Sequence, residues 1–195
     1  MRKITTAIAL AAAAFTGQAF AQAQNFAGFQ LGASIDAVSS KTELSSSGFS
    51  ESQNTANVSL TAQYNWALGN EWVLGVGASY QLVDNKAGEA NGIEAKGKNT
   101  YSVFVAPGLA LDASNLVYAK VAAVGTDGKI TQSGTEGSKT LSGYGIGFGW
   151  QTALTKNILL STEFMAKRYD EVDLSASNKV KGSSNSLSLG VAYKF

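Results

Sequence analysis

The sequence predicts an all-β fold: eight antiparallel strands closing as an up-and-down transmembrane β-barrel, preceded by a cleaved signal peptide. Three observations carry that expectation. Eight segments alternate bulky apolar residues with small or polar ones at period two, the connections between them alternate short and long, and the N-terminus is laid out as an export signal.

The N-terminal stretch MRKITTAIALAAAAFTGQAFA sets Arg2 and Lys3 before an apolar run from Ile4 to Phe15. That run is too short to cross a bilayer as a helix. Ala19-Phe20-Ala21 offers small residues for a cut after Ala21, and Ala21-Gln22-Ala23 offers a second frame with a cut after Ala23. The expected plan is a signal peptide at 1–21 and one barrel domain at 22–195. There is no cysteine, so neither a lipid anchor on cysteine nor a disulfide framework is available. Removing Arg2 and Lys3 from the 15 basic residues leaves the 14 acidic ones slightly in excess. A mature chain of about one net negative charge has no electrostatic footprint for nucleic acid.

The alternating segments cover 26–38, 55–66, 71–83, 99–111, 116–126, 141–152, 157–167 and 184–195. The first supplies the edge that the last must meet. In the second, Ala56, Val58, Leu60, Ala62, Tyr64 and Trp66 alternate with Asn57, Ser59, Thr61, Gln63 and Asn65. The third sets Trp72, Leu74, Val76, Ala78, Tyr80 and Leu82 against Val73, Gly75, Gly77, Ser79 and Gln81. In the sixth, Tyr144, Ile146, Phe148 and Trp150 alternate with Gly143, Gly145, Gly147 and Gly149. The eighth, NSLSLGVAYKF, alternates to the final residue, which implies pairing there, because unpaired termini fray.

Three connections are turn-like: ALGNE around Gly69 and Asn70, DASN from Asp112 to Asn115, and ALTKN around Lys156 and Asn157. Four are long: SSKTELSSSGFSESQN, DNKAGEANGIEAKGK, TDGKITQSGTEGSK and one near RYDEVDLSASNKVKGS. Tight turns at one end and long polar loops at the other are the asymmetry of an outer-membrane barrel. Alternation alone does not say which face is inside. A wet strand face carries long charged side chains, whereas this one carries glycine, serine and amides, which suit a narrow lumen. The bulky face then points into lipid, where every backbone polar group must be paired within the sheet. Trp66, Trp72 and Trp150 fall on that face at the short-turn end, as an aromatic belt does.

In LSLGVAYKF at the end, LVYAK in the fifth segment and STEF in the seventh, the chain resembles a known family over about residues 24–195. These are the eight-stranded outer-membrane β-barrels related to the transmembrane domain of outer membrane protein A and to the opacity-type porins. The resemblance implies location in the outer membrane of a Gram-negative cell, with outer-membrane lipid around a monomer. It implies that Tyr193 and Phe195 carry the signal read by the barrel-assembly machinery. The peptidoglycan-binding domain of some relatives is not expected, so anchoring to the cell wall is not implied.

On strand parity Lys120, Glu163 and Asp36 point inward. An unpaired buried charge is very costly, so Lys120 and Glu163 are expected to pair across the lumen or through water. The resemblance implies a lumenal network of basic and acidic side chains at these two strands, and in this chain it reads as a structural plug or a switchable gate. A barrel of eight strands is just wide enough for side chains to fill, which favours the plug. Enzymes among outer-membrane barrels rely on a histidine base, and this chain has none, so no catalytic residue is assigned. With neither histidine nor cysteine, no cofactor and no transition-metal site is expected.

The function expected is structural support of the envelope, with weak, nonspecific passage of small solutes. One alternative is an adhesin or surface-binding protein whose four long loops meet an unknown extracellular ligand. Another is a soluble periplasmic carrier with the alternation inside out. Leu60→Arg tests the lipid face, at about 2–4 kcal/mol if that site lies near the bilayer midplane.

Overall fold

A computed structural model describes residues 22–44, 50–83, 85–90, 93–132, 135–170, 172–175 and 178–195. The expected signal peptide lies outside them. A short 3-10 turn, Ala23–Asn25, precedes ten strands. These are β1 (Gly28–Leu44), β2 (Ser50–Leu68), β3 (Trp72–Gln81), β4 (Asn85–Ala90), β5 (Ile93–Ala110), β6 (Asn115–Gln132), β7 (Thr135–Ala153), β8 (Ile158–Tyr169), β9 (Val172–Ser175) and β10 (Asn178–Lys194).

All pairings are antiparallel, in the order β1-β2-β3-β5-β6-β7-β8-β10, and β10 returns to β1. β4 pairs with β5, as β3 does, and β9 pairs with β10, as β8 does, so ten strands make eight walls. Closure runs from Gln30↔Lys194 to Leu44↔Val180 and leaves the ring without a free edge.

Each expected segment falls largely within a wall, but the walls extend into stretches that the sequence suggests are loops. β1 continues to Leu44, and β6 and β7 pair out to Gln132↔Thr135. These extensions stand where neither lipid nor a core imposes apolar alternation, so their pairing leaves little trace in the sequence.

Phe26 corrects the expected start of the first strand. It follows the 3-10 turn, sits fully buried, and is not part of β1. The chain reaches the wall through Gly28, whose φ of +116° an L side chain rarely adopts; a Cβ there would stand 3.1 Å from the Phe195 carbonyl.

Polarity is inverted relative to a soluble barrel. Ile35, Phe148 and Leu189 are about two-thirds exposed, at 67%, 65% and 66%, while Gln30, Asn57 and Asp36 are buried. This excludes the soluble-carrier alternative, which needs the bulky face inside. At the short-turn end, exposed Trp66, Trp72 and Trp150 are joined by Phe29, Tyr64, Tyr193 and Phe195. The Phe195 and Tyr193 rings meet at 4.9 Å, the Phe195 and Phe29 rings at 5.8 Å. A second ring of exposed aromatics, Tyr80, Tyr101 and Tyr144, lies toward the other end, with Tyr80 directly opposite Tyr101. Trp72 to Tyr80 is roughly 26 Å of strand at ~3.3 Å per residue. With a strand tilt of ~35–45° that projects to about 20 Å, close to the apolar band of outer-membrane barrels. Leu60 faces outward opposite Tyr80, at the upper aromatic ring rather than the midplane.

The lumen as candidate functional site

From the short-turn end upward, the interior begins with an apolar floor. Ala23, Phe26, Val73, Ala110, Leu116 and Leu159 form one buried cluster, and Ala23, Phe26 and Leu159 have no exposure. An amide layer covers it. Gln30 Nε2 and Asn65 Nδ2 both donate to the Phe26 carbonyl at 3.0 Å, and Gln63 and Gln151 donate to Gln30 Oε1 at 3.1 and 3.2 Å. Gln151 Oε1 has no protein donor and its residue borders the cavity above.

The next level holds the charges. Lys120 on β6 and Glu163 on β8 form a direct ion pair through Nζ and Oε2. The Tyr118 hydroxyl donates to that same oxygen at 2.8 Å, and Lys120 Nζ stands 4.2 Å from the centre of the Phe104 ring. The carboxylate thus accepts from two donors, and the ammonium gains an aromatic face. Gly149 on β7 makes room for this arrangement, since a Cβ there would run into the Tyr118 ring and hydroxyl.

Asp36 stands apart from the Lys120–Glu163 contact, with its carboxylate accepting from the Ser34 hydroxyl at 2.8 Å and from the Ser59 hydroxyl. It borders the same cavity of 110 Å³ as Lys120, Glu163 and Lys167, with room for several waters. Lys167 feels the charges of Asp36, Glu163 and Lys120. Among the described residues, two lysines and two carboxylates line this cavity and balance in charge. Sequence reasoning missed Lys167, Tyr118 and the Gln30, Gln63 and Gln151 cluster. Parity would have found Lys167, four residues beyond Glu163 on the same face.

The interior is also two-sided. Phe104, Ala106, Ala122, Val124 and Met165 pack as an apolar cluster on β5, β6 and β8, while hydroxyls and amides line the opposite walls. No group of three metal-ligating side chains occurs among the described residues.

Outside the membrane band, the turn before β6 is held by Asp112. Its carboxylate accepts from Asn115 Nδ2 at 2.9 and 3.1 Å and from the Ser114 backbone N–H at 2.7 Å. The Asn115 bonds, opposed by slight burial and helped by the Ser114 N–H, hold this carboxyl below its ordinary range.

A closed ring of eight walls, apolar outside and polar inside, with aromatic rings at two levels, defines a transmembrane β-barrel. The family model for the outer membrane protein beta-barrel domain matches residues 7–195, and the chain belongs to that family. It is a barrel of the bacterial outer membrane.

Among solved structures it is similar to Neisserial surface protein A, at 21% identity over 87% of this chain and 98% of that one, TM-score 0.60. It is also similar to Ail, the attachment invasion locus protein of Yersinia pestis, at 18% identity over 86% and 99%, TM-score 0.55. That Ail structure is in complex with the heparin analogue sucrose octasulfate. At these identities the likeness is one of fold. No curated protein matches the sequence.

Proposed function

We propose that this protein is a non-enzymatic, non-conducting barrel that supports the outer membrane as a monomer. The observation that carries the reading is the closed floor, in which Phe26 and Leu159 are buried without remainder beneath the amide layer. A hydrated path would need polar groups at that level, and apolar side chains at native packing exclude water. Above it, Lys120, Glu163 and Tyr118 brace β6 against β8 in front of β7, as a plug rather than a gate, with Asp36 as a separate polar anchor. The absence of histidine from the sequence supports a role without catalysis. Trp66, Trp72 and Trp150 act as the aromatic belt of the inner interface, and Tyr193 and Phe195 are read by the barrel-assembly machinery.

Single-channel recording on the refolded barrel in planar bilayers tests the plug. The expected record is flat at all voltages that the bilayer survives. Steady, resolvable current steps would replace this reading with weak, nonspecific solute passage.

A second reading, binding through the outward rim, has its own observation. Lys86, Lys96 and Lys129 share one register row across β4, β5 and β6. Like charges directly opposite one another oppose pairing unless something anionic neutralises them. Elsewhere in the extensions Lys98 is in register with Asp127, Lys179 with Asp173 and Lys181 with Glu43, and Glu89 shares a row with Glu94 farther out. A sulfated polyanion, the class of ligand in the Ail complex, would neutralise the lysine row. Retention on immobilised heparin that disappears in K86Q/K96Q/K129Q would support rim binding; no retention at low salt would dismiss it.

A further inference from the structure

The lipid face is not uniform around the ring. Trp72, Leu109, Val117 and Trp150 occupy one register row across β3, β5, β6 and β7, so two indoles stand three strands apart with smaller side chains between them. In the next row Pro107 lies beside Ala119, and the surface drops. A groove of about 670 Å³ results, floored by Pro107 and Ala119 and walled by Trp72 on one side and by Trp150 and Phe148 on the other. We propose that this groove holds one acyl chain of a phospholipid whose headgroup carries a primary amine, with the ammonium of that headgroup beside Glu71 and Asp112 at the periplasmic rim.

The groove faces hydrocarbon, so its occupant is apolar and comes from the membrane. What sets it apart from the rest of the face is a wall fixed before any lipid arrives. Trp150 Nε1 donates to Asn115 Oδ1 at 3.0 Å and to Thr152 Oγ1 at 3.1 Å, and the Thr152 hydroxyl donates to the same Asn115 oxygen at 3.0 Å. Asn115 Nδ2 donates in turn to the Asp112 carboxylate at 2.9 Å, so the indole is locked from the turn below. A bound chain does not have to order this side chain, which lengthens its stay. Trp72 plays the other part. Its indole N–H has no partner among the described residues, and at the lower end of the groove it is free to donate to a lipid ester or phosphate oxygen.

Charge selects the headgroup. Glu71 immediately precedes Trp72, and its carbonyl accepts from the Ala110 N–H at 2.7 Å, which sets it beside Ala110, two residues before Asp112. Both Glu71 and Asp112 are exposed at the short-turn, periplasmic end. Asn115 holds the Asp112 carboxyl below its ordinary range, so it is ionised at neutral pH. The basic residues of this end, Lys156 and Lys194, belong to the turn before β8 and to β10, and the Lys194 ammonium is turned onto the Asn25 carbonyl. Two carboxylates below the groove attract an ammonium and repel a headgroup whose only charge is its phosphate. The inference needs only the lipid-facing exterior and stands apart from the closed lumen.

Native mass spectrometry reads occupancy and headgroup together. The full chain, expressed in a Gram-negative host and purified from outer membranes in mild detergent, is offered equal amounts of dioleoyl phosphatidylethanolamine and dioleoyl phosphatidylglycerol. The expected spectrum shows one barrel with one phospholipid, the ethanolamine form favoured roughly fivefold, the ratio that one engaged surface charge supplies. Ala119→Leu fills the floor from the lipid side and should remove the adduct, while Ala78→Leu, at an equally exposed position of β3, should keep it. Glu71→Gln with Asp112→Asn should keep the adduct and equalise the two headgroups. No adduct on the unaltered barrel, equal retention of both lipids, or an adduct that survives Ala119→Leu overturns the proposal. Should Ala119→Leu fail to fold, the headgroup ratio in the unaltered and the Glu71/Asp112 barrels decides. A mass of two barrels without lipid assigns the groove to a second copy and overturns it as well.

Discussion

Replacing Glu163 by Ala strands Lys120 in a setting that the folded chain cannot easily leave. The two side chains are 10% and 16% exposed, so most of the water that would solvate a lone ammonium is absent. Breaking one side of a buried ion pair costs about 3–5 kcal/mol, because the remaining charge stays uncompensated. The Tyr118 hydroxyl loses its acceptor in the same step, a charged hydrogen bond worth about 1.5–3 kcal/mol on its own scale. These terms do not add, since both act on one carboxylate. The Phe104 face and the cavity beside Lys120 soften the loss. We therefore expect about 3 kcal/mol, the lower end of the range for a buried pair. Urea titration of the barrel in vesicles, followed by tryptophan emission from Trp66, Trp72 and Trp150, measures it. The double replacement Lys120→Met with Glu163→Leu should recover most of the loss, because an apolar substitute removes both desolvation costs. A single variant that loses under about 1 kcal/mol, or a double variant no better than the single, would refute the argument that the pair is a buried brace.

Val105→Arg, facing lipid midway between the aromatic rings, should cost about 2–4 kcal/mol in urea titration, and Leu60→Arg at the upper ring only about 0–1. Equal costs would mean the band is misplaced. Gly149→Ala should push the Tyr118 ring off Glu163 and cost about 1–3 kcal/mol, a penalty that vanishes in a Tyr118→Ala background. Additivity of the two changes would break that link. Asp112 should titrate below 3.8 by carboxyl NMR and return toward that value in Asn115→Ala. Because its folded pKa is depressed, its contribution is complete above the unfolded pKa and is lost as pH falls through the folded one. Solvent screening keeps that contribution under about 0.5 kcal/mol.

The walls were legible in the sequence wherever lipid imposes a rule. Val58 and Leu60 on one face with Asn57 and Ser59 on the other give the period, and the DASN turn gives the boundary. The inward positions of Lys120 and Glu163 follow from parity in the same way, because each strand residue has only two faces to choose from. Their common partner Tyr118 shares the inward face of β6 with Lys120, but parity names a face and not the height at which β6 and β8 meet, so its bond to Glu163 did not follow. The upper tyrosines escaped for a related reason: Tyr80, Tyr101 and Tyr144 align only once register is known. Phe26 breaks the alternation of β1, falling on the parity of Gln30 and Asp36 instead of that of Phe29 and Leu31, but nothing in the residue itself signals a left-handed glycine two positions later. The extensions of β5, β6 and β7 were invisible because IEAKGK, DGKITQ and TEGSKT carry no sustained apolar alternation in the sequence.

The seam between β10 and β1 has a consequence for timing. The initial wall pairs with β10, through Phe195 N–H on the Phe29 carbonyl and Gln30 beside Lys194. A chain whose β10 has not arrived would therefore present two raw backbone borders to hydrocarbon, with no solvent to quench them. The ring cannot be seated in lipid one hairpin at a time, because its first wall is shielded only when its eighth comes home.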